Sequence, residues 1–174
     1  MKKIVYSAIS GVVMFAASAA FAQSAAPNDA QIAGIVVTAN TVDIDAGKLA
    51  QKMSTNREVQ QFGKHMVTDH TGVKKQATAL VKKLKVKPED SDTSKSLKTD
   101  GDANISKLKG LKGAAFDKAY VDNEVTYHQA VIDALDKTLI PNAKNAELKD
   151  LLVKTKPAFV AHLDHAKKVQ QALK

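Results

Sequence analysis

The sequence predicts an all-α protein folded as a four-helix bundle. In four long segments the apolar residues recur at intervals of three and four, which is the spacing of one face of an amphipathic helix. A long polar connection separates the second segment from the third, which favours a crossover between parallel helices over a tight hairpin. No segment shows the apolar–polar alternation of a strand. The arrangement of helices and crossover is therefore that of a ferritin-like bundle.

Residues 1–22 have the pattern of a secretory signal peptide. Lys2 and Lys3 precede an apolar run that ends in the small-x-small sequence Ala20-Phe21-Ala22, so we expect cleavage after Ala22. A membrane anchor is the alternative, but the apolar core is short and rich in Ala and Ser. No later stretch is apolar enough to span a bilayer. We expect a periplasmic protein with no transmembrane helix in the mature chain, either free or associated with the outer membrane.

The composition narrows the function classes. The chain has 26 basic and 18 acidic residues and a formal net charge of +8, and it has no cysteine or tryptophan. Without cysteine, neither a disulfide nor a thiolate ligand can form. Arg57 is the only arginine, whereas a nucleic-acid binder more often combines arginine with stacking aromatic residues. The lysines indicate solvated helix faces, or weak contact with an anionic envelope surface or a protein partner.

Residues 23–28 are expected to form a flexible lead-in, and residues 29–174 to form one domain. The first helix begins at a cap formed by Asn28 or Asp29 and extends to about Met53. The second helix occupies the segment 55–84 and begins at a capping box formed by Thr55 and Glu58. Because the gap between the two helices is short, they must pack antiparallel.

The connection from Glu89 to Gly113 is polar and carries one short amphipathic helix. The third long helix is expected to begin near Ala114 and to end at Leu139, ahead of Pro141. The fourth helix spans 143–173, where Pro157 should kink it or begin its second half.

Polar residues interrupt the apolar face of every long helix. They are Asp43, His70, Glu124, His128 and His162. At ~1.5 Å of rise per residue, His70 on the second helix and His128 on the third each lie roughly 21 Å from the same end of the bundle. Asp43 on the first helix lies about 15 Å from that end. Converging imidazoles and carboxylates in a bundle form metal sites. The alternative is a layer of groups that only hydrogen-bond one another.

Three further polar residues lie beside these faces. His65 and His165 fall on helix rims, where solvent exposure is expected and a role as a peripheral ligand is the alternative. Asp69 lies next to the apolar face of the second helix, where its carboxylate could orient His70 or a side chain of a neighbouring helix.

Three segments of the chain together resemble a family of exported bacterial proteins. The segments are GKLAQKMSTNREVQQFGKHMVTDH, FDKAYVDNEVTYHQAV and AHLDHAKKV. In this order they resemble the domain of unknown function 4142, whose members are often labelled outer-membrane proteins and are grouped with ferritin-like folds. The resemblance implies a periplasmic ferritin-like bundle. It also implies that His70, His128 and His162 match the family's histidine positions and that Asp43 matches a position that is usually Glu. It implies no activity.

Three functions are compatible with these observations. The sequence favours a non-enzymatic helical module of the cell envelope, acting by structure or partner contact, with a role under stress. The second function is metal binding or buffering by the inner histidines and carboxylates, with zinc, copper or iron as the ion. The third is a ferritin-like redox enzyme. It is the least supported, because the third helix carries Glu-x-x-x-His and the second Asp-His instead of Glu-x-x-His.

Overall fold

A computed structural model describes residues 26–173, and every regular element within that range is helical. The predicted signal peptide and residues 23–25 of the lead-in lie outside the described residues. The helices are α1 (Asp29–Met53), α2 (Arg57–Lys83), α3 (Asp92–Lys109), α4 (Gly113–Ala134), α5 (Ile140–Asn142) and α6 (Ala146–Ala172), with a π-helical segment at Leu135–Leu139. The prediction of an all-α protein is confirmed.

The first helix begins at one of the two residues that the sequence indicated. The Asn28 side chain accepts a hydrogen bond from the Gln31 N–H at 2.8 Å, and the Gln31 side chain accepts one from the Asn28 N–H at 3.0 Å. Asp29 instead accepts from the backbone N–H groups of Lys144 and Asn145. The start of α1 is thereby tied to the start of α6.

The second helix begins two residues later than the sequence indicated, at Arg57. The expected capping box of Thr55 and Glu58 is wrong, since Asn56 is the cap. Its side chain accepts hydrogen bonds from the N–H groups of Glu58 and Val59 at 2.9 and 3.3 Å. Asparagine is at least as good a cap as threonine, and a single residue that satisfies two N–H groups outcompetes the alternative.

Close contact between α1 and α2 depends on two glycines. A Cβ atom on Gly63 would lie 2.8 Å from the carbonyl oxygen of Gly47 and 2.9 Å from the Ala50 Cβ, and one on Gly47 would lie 2.7 Å from the Gly63 carbonyl oxygen. Larger residues would push the helices apart. One turn before Gly47 lies Asp43, so this contact helps to bring Asp43 close to α2.

The connection between α2 and α4 is built differently from the expected short helix. Glu89 donates its backbone N–H to the Ala30 carbonyl at 3.0 Å, which ties the start of the connection to α1. The helix that follows, α3, has 18 residues and packs mainly on α1. The extra helix is therefore longer than predicted. It begins at Ser91, which forms a capping box with Ser94.

The expected end of the third long helix at Leu139 is wrong. The chain stays helical through the π-helical segment Leu135–Leu139 and on to Asn142, so Pro141 lies inside it. A π-turn has i→i+5 hydrogen bonds, as between the Ile140 N–H and the Leu135 carbonyl. This wider turn accommodates a proline, which has no N–H to donate and would clash with a regular preceding turn.

Helix α6 also continues through a proline. Pro157 lies inside the single helix Ala146–Ala172 rather than at a break. The carbonyl that loses its N–H donor belongs to Val153, a residue that is 50% exposed. Solvent can therefore satisfy that oxygen, so the helix does not have to end.

Helix α1 packs against α2 and also contacts α4. Helix α6 packs against α4 and α2. Two hydrophobic clusters lie between them. One contains Ile32, Ile35, Val36, Ala77, Val131, Ile132, Leu135, Leu139, Ala143, Leu148, Leu152, Phe159 and Leu163. The other contains Ala46, Ala50, Val59, Phe62, Met66, Leu108, Phe116, Tyr120, Val121, Ala166 and Val169. Among residues 26–173, no helix combines the length and apolar character needed to cross a membrane.

Candidate metal centre

A buried polar layer separates the two hydrophobic clusters. The layer contains Asp43 from α1, His70 from α2, Glu124 and His128 from α4, and His162 from α6, and these residues are at most 8% exposed. On α1, α2 and α4 they lie between the residues of one cluster and those of the other, whereas His162 on α6 lies between Phe159 and Leu163 of the first cluster. The structure thus brings together all five residues that the sequence selected. Whether they bind a metal is a separate question.

Asp43 lies at the centre of this polar layer. Its Oδ2 atom is 3.0 Å from His70 Nε2 and 3.5 Å from His128 Nε2. Both Asp43 oxygens are buried, and neither has a hydrogen bond of acceptable geometry. Three helices therefore direct an uncompensated carboxylate and two imidazole nitrogens at one point.

The outer nitrogen of His70 fixes the orientation of its ring. His70 Nδ1 lies 2.8 Å from Asn40 Oδ1, and the Asn40 amide donates to the Val36 carbonyl at 2.8 Å. Because the amide nitrogen is already used, the Asn40 oxygen must accept the bond from His70. In the neutral ring the proton is then on Nδ1. In that neutral ring Nε2, which lies 3.0 Å from Asp43 Oδ2, carries a lone pair, whereas the protonated ring donates an N–H to the carboxylate.

The other two rings are held in the same way. His128 Nδ1 donates to the Glu124 carbonyl at 2.9 Å, and His162 Nε2 donates to Asp69 Oδ2 at 2.9 Å. Asp69 therefore orients a histidine of the neighbouring helix rather than His70. An imidazole whose outer N–H is bound to a carbonyl or carboxylate presents its other nitrogen as a ligand, as metal-binding histidines do.

The three free nitrogens converge. The ring centroids of His70, His128 and His162 are 5.1 to 5.6 Å apart. One nitrogen from each ring lies within 4.8 Å of the others, and ligand atoms of Asp43, Glu124 and His128 form a second such group. Imidazole nitrogen with carboxylate oxygen suits zinc, copper and iron. The two groups share His128, so they form one continuous donor set.

The two carboxyl groups hold different charges. Burial raises the pKa of Asp43, but the neighbouring His70 and His128 lower it by more, to about 2. Burial and the charge of Asp43 raise the pKa of Glu124 well above its ordinary value. Asp43 is therefore ionised at neutral pH, and Glu124 is protonated. Two buried carboxylates this close cannot both stay charged without a cation between them.

Two of the three histidines are biased towards the neutral form. Burial lowers the pKa of His128, and the charge of Asp43 only partly opposes this. Burial likewise lowers the pKa of His162, against the hydrogen bond that His162 donates to Asp69. Neutral imidazole is the form that coordinates a metal.

Sequence reasoning missed two residues of this region. Asn40 was not singled out, although it lies three residues before Asp43 and so on the same face of α1. Tyr120 follows the apolar spacing of its helix, but its hydroxyl is buried without a hydrogen-bond partner. Burial, with the charges of Glu124 and Asp43, raises the pKa of that hydroxyl well above its ordinary value. The spacing of four between Tyr120, Glu124 and His128 was the available signal.

His65 and His165 are not part of the polar layer. His65 is exposed and His165 is partly buried, and their ring centroids lie 5.8 Å apart at the contact between α2 and α6. The expectation of a rim position is met for both residues.

Comparison with known proteins identifies the family. The family model for the domain of unknown function 4142 matches residues 15–169, which include the whole polar layer. No curated protein matches the sequence, and no solved structure does. The chain belongs to the family of the domain of unknown function 4142.

Proposed function

We propose that this protein binds a transition-metal ion in the polar layer, through His70, His128 and His162 together with Asp43. Glu124 is the second carboxylate of the site. The observation that carries the proposal is that the inward nitrogens of all three rings, both Asp43 oxygens and one Glu124 oxygen are buried without hydrogen-bond partners.

A layer of groups that only hydrogen-bond one another does not account for this arrangement. Such a layer would satisfy its buried polar atoms, because each unsatisfied one costs about 1–3 kcal/mol. Here the outer nitrogen of every ring has a hydrogen-bond partner, whereas the inner nitrogens of His70, His128 and His162 have none. A cation supplies the missing partner for all of them and balances the charge of Asp43.

Retention or buffering of the ion suits this site better than turnover. Four of the five residues are at most 1% exposed and the fifth, His162, is 8% exposed, so a bound ion lies away from solvent. The donor set favours zinc, copper or iron. We infer a non-enzymatic role, in which the protein takes up one of these ions and holds it.

The proposal also covers the type of helical bundle and the cellular location of the protein. We infer a ferritin-like four-helix bundle, supported by the contacts of α1 with α2 and α4 and of α6 with α2 and α4, and by the crossover that carries α3. We infer a periplasmic location from the signal-peptide pattern of residues 1–22. Sequencing the N-terminus of protein from a periplasmic extract tests this, and a first residue other than Gln23 would contradict the expected cleavage.

Metal analysis and thermal melting of protein purified without a His tag test the metal site. We expect zinc, copper or iron(II) to raise the melting temperature, since ligand at 100 times its dissociation constant stabilises by about 2.7 kcal/mol. His128→Ala should lose this shift, because it removes the residue shared by both donor groups.

His65→Ala is the matched control, because it removes an imidazole from the same helical protein but from outside the layer. This variant should keep the metal-induced shift. Unchanged wild-type melting with all three ions, and purified protein without bound metal, would contradict the proposal.

A further inference from the structure

The polar layer reaches the surface at one edge, along the contact between α2 and α6. His162 is the most exposed of the five inner residues, and its side chain is 10% exposed. Its partner Asp69 has a side chain that is 48% exposed. Among the described residues, the Asp69–His162 pair is thus where the proposed ligands of the inner site meet solvent.

A second histidine pair lies next to this edge. His65 precedes Asp69 by four residues on α2, and His165 follows His162 by three on α6, so both pairs share one face of their helices. The two pairs are separated by about one turn, or roughly 6 Å along the helix axes. The 5.8 Å between the ring centroids of His65 and His165 is close to the 5.1–5.6 Å found among the three inner rings.

The charge of the protein makes a local capture site useful. Without Lys2 and Lys3 of the proposed signal peptide the formal net charge falls from +8 to +6, so the average field of the mature chain repels a metal cation. Burial and the nearby charges of His65 and Lys168 lower the pKa of His165, against the opposing charge of Glu58. At neutral pH the His165 ring is therefore uncharged and able to bind a cation.

We propose that His65 and His165 form an outer site for a transition-metal cation, which passes the ion through the Asp69–His162 pair to the inner site. This inference rests on the proposed function. Two imidazoles hold an ion more weakly than three imidazoles and a carboxylate, which is what a transfer site requires. Along the contact between α2 and α6, the side chains become more buried towards the inner site. His65 is exposed and His165 partly buried, Asp69 is half-exposed, and His162 is nearly buried.

The test is the rate of loading with cobalt(II), followed by its visible absorbance in a stopped-flow instrument. The variant is His65→Ala with His165→Phe. Phenylalanine keeps the edge-on contact that His165 makes with Phe62, at a centroid distance of 5.0 Å, but it has no ligand nitrogen. We expect loading to slow on the order of tenfold and release to a chelator to slow by the same factor. The equilibrium affinity of the inner site should stay within twofold of the wild type.

Two results would overturn the transfer route. Loading within twofold of the wild-type rate would show that the outer pair only packs against Phe62. A tenfold loss of equilibrium affinity without slower loading would show that the pair supports the inner site structurally. Neither result would contradict inner binding, which fails separately if the wild-type protein binds no cobalt or if His128→Ala binds it equally well.

Discussion

Two neighbouring layers of the same helices are built on opposite principles. In the hydrophobic cluster towards the α1–α2 turn, Phe62, Met66, Phe116, Tyr120 and Val121 are fully buried. In the next layer along, the inward residues are histidines and carboxylates whose inner atoms have no partners. The backbone environment is similar in both layers. What differs is whether the inward side chains stabilise the fold or cost free energy.

This difference indicates where the protein keeps its function. Burying an apolar side chain stabilises by about 1.5–3 kcal/mol, whereas an unsatisfied buried polar atom costs about 1–3 kcal/mol. A polar layer of this kind lowers stability unless something binds to it. Leucine or phenylalanine in the same positions would give a more stable bundle, so the layer is better explained by a ligand than by folding.

The largest expected effect is in the apolar layer. Phe62→Ala should lower the free energy of unfolding by about 3–5 kcal/mol, because it leaves a cavity among fully buried side chains. Urea unfolding with and without zinc measures this. The loss should be the same in both conditions. A much smaller loss of unfolding free energy would mean that Phe62 is not closely packed. The contrast between the apolar and the polar layer would then fail.

A smaller effect is expected from Asp43 and depends on pH. Its pKa falls from 3.8 to about 2 on folding, so its contribution is present above pH 3.8 and is lost as the pH falls towards 2. At pH 5, Asp43→Asn should be less stable than the wild type by about 2 kcal/mol. The two proteins should converge near pH 2. Urea unfolding of metal-free protein across this range tests it, and a constant difference would contradict the assignment.

The smallest expected effect has the opposite sign. Because the pKa of Glu124 is raised on folding, the folded protein binds a proton that the unfolded chain releases, and stability falls as the pH rises above about 4.5. Glu124→Gln removes that loss. We expect metal-free Glu124→Gln to be more stable than the wild type at pH 7.

With zinc the wild type should be more stable than Glu124→Gln, because the variant lacks one carboxylate of the site. Calorimetry of both proteins with and without metal provides the comparison. A Glu124→Gln variant that is less stable without metal and equally stabilised by zinc would show that Glu124 is structural.

Much of the fold could be predicted because it depends on local pattern. The apolar spacing located the long helices, and a cap at Asn28 or Asp29 and an end near Met53 for α1 follow from capping and periodicity alone. Helix ends near competing signals could not be predicted. Asn56 replaced Thr55 as the cap, and the π-helical segment carried the chain through Pro141, because cap competition and turn widening depend on the surrounding packing.

The sequence by itself determined the all-α class, the membership of the family and the choice of the five inner polar residues, since each follows from residue type and spacing along one helix. Only the tertiary structure decided what those residues face. The bond from Asn40 to His70, the bond from Asp69 to His162 and the central position of Asp43 all join different helices. Periodicity within a helix cannot specify such contacts, because they depend on the rotation and height of one helix against another. The direction of the imidazole nitrogens, and with it the case for a metal, is a property of the packed helices.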